Sequence, residues 1–114
     1  MDSPGKTLNE DTIATLQYMA PECLLKGLYT ASSDVYAFAV LAWELLHEHE
    51  AFQGLSEFHL INAVVNDGHG LEFDENVPKD VALILSACMA VDPEKRPTAR
   101  QICVKFADIL KQKK

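Results

Sequence analysis

Two imidazoles and two carboxylates alternate at His47-Glu48-His49-Glu50, a grouping whose residue types could hold a metal ion. Their spacing argues against it. Zinc peptidases set two histidines four residues apart on one helix face with a glutamate between them, whereas these alternate at two and fall where a helix is closing. A polar, solvated helix end accounts for the same residues. His59 and His69 have no His or Cys neighbour at ligand spacing. The three cysteines, Cys23, Cys88 and Cys103, are widely separated and form no C-x-x-C. That pattern argues against both zinc and a disulfide framework, and suits buried thiols in a cytoplasmic protein. No G-x-S-x-G marks a nucleophile turn, and Gly5-Lys6-Thr7 lacks the earlier glycine and the strand of a phosphate loop. Taken singly, the residues offer no catalytic apparatus.

The elements that would position these residues are helical. Residues 33–46, SDVYAFAVLAWELL, are apolar except for Ser33, Asp34 and Glu44. On a helical wheel Val35, Ala39 and Leu46 fall on one side and Phe38, Leu41 and Leu45 on another, with Val40 and Trp43 between. A helix apolar all round is a core element or a membrane span, and this run is too short to cross a bilayer, so a buried central helix is expected. Ser32 or Ser33 suits its cap and Asp34 its first turn. Before it, Pro21 and Gly27 bracket a short helix in YMAPECLLKG. After it, Ser56 caps an amphipathic helix carrying Phe58, Leu60, Ile61, Val64 and Val65, ended by Asn66, Asp67 and Gly68. Residues 68–77 read as acidic loop. Pro78 opens a helix with Val81, Ile84, Leu85 and Cys88 on its apolar face, widened by Leu83 and Met89. Pro93 and Pro97 bracket one turn. Thr98 and Gln101 form a capping box for a last helix whose buried stripe is Ile102, Phe106, Ile109 and Leu110. Residues 1–17 are polar and read as loop.

The composition sets limits on partners. With 48% apolar and 24% charged residues in a chain of 114, one small globular domain or a piece of one is expected. Seventeen acidic against ten basic residues give a net charge of -7, a surface that repels nucleic-acid phosphates and anionic lipid. The N-terminal residues contain no apolar run suited to a signal peptide, and no segment reads as a membrane span.

Three motifs occur in order: YMAPE at 18–22, SDVYAFAVLAWELL at 33–46 and DPEKRPT at 92–98. Together they resemble the C-terminal half of a eukaryotic protein kinase catalytic domain, over about residues 12–110. Ala20-Pro21-Glu22 is similar to the motif that closes the kinase activation segment. TLQYMAPE followed by FQGLSEFHLINAV resembles the tyrosine-kinase-like group of Ser/Thr kinases, since tyrosine kinases more often carry Trp where Tyr18 stands. Ala14, Ala39, Ala51 and Met89 depart mildly from the family pattern. The implied fold is mainly α, a partial kinase C-lobe. It comprises an activation-segment loop at 1–17 and a helical C-lobe at 18–114, about five helices around a central buried one, without the N-lobe or catalytic loop.

The resemblance also implies roles. Glu22 and Arg96 would form a buried structural ion pair. Asp34 would anchor the catalytic loop. Thr15 and Tyr18 would belong to the substrate-docking loop, and Thr12 and Thr7 are candidate phosphorylation sites that order the activation loop. In the family the ATP- and Mg-binding motifs precede Ala20-Pro21-Glu22. Alone, this chain is therefore expected to bind neither ATP nor Mg, to have no catalytic residue, and to be inactive. Its expected partners are a protein substrate and the N-terminal half of the kinase, not nucleic acid or membrane. The alternative is an inactive helical interaction module or pseudokinase remnant.

Overall fold

Thr30, not Ser32 or Ser33, begins the central helix. The computed structural model describes residues 16–65 and 71–112, and in it this helix, α2, spans Ala31–His47, preceded by the short α1, Pro21–Lys26. The Thr30 hydroxyl accepts from the Ser33 amide while the Ser33 hydroxyl accepts from the Thr30 amide at 3.1 Å. This reciprocal cap satisfies two amides at once, which is why the start lies upstream of the expected serines. In α1, Pro21 occupies the first turn and Gly27 closes it at φ 64°, its amide bonded to the Cys23 carbonyl. Only glycine adopts that left-handed conformation without cost from a Cβ.

Among the described residues three further helices and one turn follow: α3, Glu57–Val65; α4, Lys79–Cys88; a 3-10 turn, Pro93–Lys95; and α5, Ala99–Gln112. Among the described residues there is no strand. Residues 71–77 carry neither helix nor strand, and the expected end of α3 at 66–68 lies outside the described residues. The capping box of α5 forms as its sequence requires: the Thr98 amide donates to Gln101 Oε1 at 2.9 Å and the Gln101 amide to Thr98 Oγ1 at 3.1 Å. The Asp92 side chain caps the 3-10 turn through the Glu94 amide.

α2 is a wall with a core on either side. On one side Tyr36, Val40 and Trp43 pack with Ala20, Cys23, Ala51, Leu60 and Val64, from α1, α3 and the loops beside them. On the other Val35 and Ala39 pack with Leu85, Cys88 and Ile102 from α4 and α5. Leu60 and Leu85 are fully buried, each contributing about 1.5–3 kcal/mol of transfer free energy. Burial does not extend all round. Phe38, Leu41 and Leu45 are exposed, Leu45 by 73%, so the helix is covered on two sides and open on the third. Leu83 of α4 and Leu110 of α5, expected on buried faces, are likewise exposed, while Phe106 and Ile109 are half-buried.

The end of α2 differs from the solvated terminus expected for His47. His47 is half-buried and stacked on Trp43 with ring centroids 4.2 Å apart. Its Nδ1 bonds the Trp43 carbonyl at 2.9 Å and its Nε2 accepts from the Asp74 amide at 3.0 Å. Trp43 Nε1 donates to the Glu72 carbonyl at 2.7 Å, so these two side chains clasp the 71–77 segment onto α2. Sequence spacing could not reveal this, because the partners are backbone groups 27 and 29 residues away.

Candidate functional site

The densest polar construction joins α1, the start of α2 and the turn before α5. Arg96 grips Glu22 with both arms of its guanidinium, Nη1 to Oε2 at 2.8 Å and Nη2 to Oε1 at 2.9 Å. The side chain of Arg96 is wholly buried and that of Glu22 nearly so. Every other donor of the guanidinium group is also used: Nε donates to the Ala90 carbonyl at 2.8 Å, Nη1 to the Ser32 carbonyl at 3.1 Å and Nη2 to the Val91 carbonyl at 3.4 Å. Such complete satisfaction is what a buried charge requires. Ser33, freed at its oxygen by its place in the first turn, donates to Glu22 Oε2 at 2.8 Å. Burial by itself would raise the Glu22 titration, but the hydrogen bonds from Arg96 and Ser33 outweigh it and hold the carboxyl below its usual value. The guanidinium carbon also lies 5.1 Å from the Tyr36 ring centre, a cation–π contact, and burial pushes the Tyr36 phenol up to about 12.

A second carboxylate fastens the stretch just before α1. Glu44, on α2, accepts from the Tyr18 hydroxyl on one oxygen, and from Gln17 Nε2 and the Ala51 amide on the other, the last at 2.8 Å. Bonding to a carboxylate raises the Tyr18 titration. Reasoning from sequence missed Glu44 as a site residue; its signal was a lone acid in an apolar run, which needs donors wherever it is shielded from water.

Asp34 is exposed, and among the described residues nothing bonds its carboxylate. It stands at the edge of a recess of 370 Å³ bounded by Tyr18, Cys23, Tyr29, Ser33 and Ala37 among others. The structure thus brings Tyr18 and Asp34 to one recess and Glu22 and Arg96 into direct contact. Thr7, Thr12 and Thr15 lie outside the described residues. The recess offers a carboxylate acceptor and an aromatic wall, without an activated nucleophile. Cys88, for its part, is buried, and burial pushes its thiol up to about 11.

A family model described as protein tyrosine and serine/threonine kinase matches residues 2–106. The chain is 38% identical over 98 residues to the proto-oncogene tyrosine-protein kinase ROS of Gallus gallus, an alignment covering 85% of this chain and 4% of that protein. It is 35% identical over 88 residues to a putative molluscan insulin-related peptide receptor of Lymnaea stagnalis, covering 76% of this chain and 5% of the relative. A putative mitogen-activated protein kinase kinase kinase 7-like protein of Drosophila melanogaster is 32% identical over 99 residues, covering 81% and 25%. The chain therefore spans a quarter or less of the length of these relatives.

Proposed function

Because the chain belongs to the protein tyrosine and serine/threonine kinase family, we propose that it supplies the acceptor-docking loop and helical C-lobe of a kinase domain that transfers phosphate from ATP to Ser and Thr hydroxyls of proteins. The observation that carries this reading is the way residues 17–22 are held. Glu22 is locked to Arg96 from behind and Tyr18 to Glu44 from the side, so the backbone between them is presented on two fixed supports. A docking loop needs that rigidity, because misplacing an acceptor by an ångström costs large factors in rate.

In this reading Thr15 and Tyr18 belong to the substrate-docking loop, Thr15 bonding the catalytic Asp, Asp34 receives backbone amides of the catalytic loop at the open recess, and Thr12 and Thr7 take phosphate that orders the activation loop. ATP and Mg belong to the complete domain. Among the described residues no group of three or more His, Cys, Asp or Glu suits a metal ion. The work of this chain in this reading is orientation of the acceptor. The partners are a protein substrate and the N-terminal half of the domain. No helix among the described residues is long and apolar enough to cross a membrane.

The tyrosine-kinase names of several relatives favour a second reading, in which the acceptor is a tyrosine. Phosphate transfer from γ-labelled ATP, measured on the protein purified from its native source, separates the two. Label is expected on Ser/Thr-only peptide mixtures. Label confined to Tyr-only mixtures supports the second reading, and no label on either supports an inactive interaction module.

A further inference from the structure

Four of the cations of this acidic chain line one groove. A groove of 850 Å³ runs between α4 and α5 and the 3-10 turn. Its lining holds Lys95, Arg96, Arg100 and Lys105, four of the ten Lys and Arg residues, but only Glu94 and Asp108 of the seventeen acids. Arg96 is spent on Glu22. Lys95, Arg100 and Lys105 are exposed, and among the described residues none has a carboxylate within ion-pair distance. Between them the groove is apolar, with Leu83 exposed by 72% and Val104 by 54%, where sequence periodicity had expected Leu83 to be covered.

We propose that this groove binds an acidic amphipathic helix of another protein, its leucine-type side chains on Leu83 and Val104 and its carboxylates against Lys95, Arg100 and Lys105. Two packed helices leave between them a channel that a third helix fills with residues three and four apart. The concentration of unpaired cations in a chain of net charge -7 selects a partner of negative charge through steering and rim contacts. A nucleic acid fits less well. Its phosphate backbone has no apolar stripe to cover exposed Leu83 and Val104, which a leucine-bearing helix supplies. The inference is independent of the kinase chemistry.

The test is fluorescence anisotropy of the whole chain with a labelled synthetic helix of leucine at three–four spacing and glutamate elsewhere. Saturable binding is expected, weakening as salt is raised. Arg100→Glu with Lys105→Glu should weaken it roughly tenfold, since reversing two rim charges changes several exposed pairs worth a few tenths of a kcal/mol each. Leu83→Asp should weaken it as well, whereas Lys26→Glu should not. All four positions are exposed, so the variants should keep the parent unfolding midpoint, which circular dichroism checks. Equal binding of a lysine version of the same peptide would overturn the proposal. So would indifference to the double charge reversal, tighter binding of a single-stranded oligonucleotide, absence of binding, or a self-associated chain in sedimentation whose groove is already filled by a second copy.

Discussion

Two carboxylates tie residues 17–22 to α2, and they do so in different surroundings. Glu22 lies in a dry pocket and is met by a guanidinium, a serine hydroxyl and no water-facing partner. Glu44 lies half-buried and is met by neutral donors alone: an amide side chain, a phenol and a backbone N–H. The difference follows from solvation. Where water is excluded, a carboxylate stays ionised only beside a compensating charge; where water reaches part of the group, dipoles are enough. The same comparison separates their expected consequences, because a buried ion pair that loses one member strands a charge, while a half-buried acceptor that vanishes strands only neutral donors.

Removing Arg96 should therefore be the largest single effect. Arg96→Ala is expected to cost about 3–5 kcal/mol in urea unfolding, since it leaves Glu22 charged and buried without its partner. The paired replacement of Glu22 and Arg96 by apolar residues of similar size should cost much less than the sum of the two single changes. Glu44→Ala comes next, at about 1–2 kcal/mol, because it strands neutral donors, Gln17, Tyr18 and the Ala51 amide, and no charge. A loss at Glu44 equal to that at Arg96 would break the contrast between a dry and a wet anchor.

Acid should weaken the Glu22 anchor, with a smaller amplitude. Glu22 titrates below its ordinary 4.5 in the folded chain. Its contribution is therefore fully present above that value and is lost as pH falls through the lower folded value, because the unfolded chain takes up the proton first. Urea midpoints followed downward in pH should show this decline in the parent and a shallower one in Glu22→Gln. The smallest effect concerns reactivity rather than stability. Under native conditions at neutral pH a thiol reagent should modify exposed Cys103, with buried Cys23 and Cys88 protected. Cys88 shares a core with Leu85 and Ile102 in the helices flanking Arg96, so Arg96→Ala should speed its labelling, and Glu44→Ala should not. Mass spectrometry of the labelled sites checks both.

Much of the fold was legible one turn at a time. Gly27 closing α1 and the Thr98–Gln101 box both depend on groups within a few residues of each other, backbone bonds at the one and reciprocal side-chain bonds at the other, and short-range chemistry of that kind is written in local sequence. The start of α2 shows the limit. Three hydroxyl residues within four positions, Thr30, Ser32 and Ser33, could each serve as the cap. Thr30 takes the role because Ser33, placed at the third helical position, completes the reciprocal bond and also reaches Glu22, while Ser32 turns to the Pro93 carbonyl at 2.8 Å. His47 failed as a solvated residue for a related reason, since its ring is held by the distant backbone of Asp74 and by Trp43.

By itself the sequence determined the helices of the described residues, most of their ends, and the residue types able to form a buried ion pair. Tertiary structure decided which of those residues meet. Glu22 and Arg96 stand 74 positions apart, and nothing local requires their contact. It also decided which apolar faces are covered: Val35 and Ala39 go against α4 and α5, while Phe38, Leu41 and Leu45, equally apolar in the sequence, remain open. The physical reason is that capping is a short-range directional bond, whereas hydrophobic burial is non-directional and long-range, so periodicity names the faces that seek cover without naming what covers them.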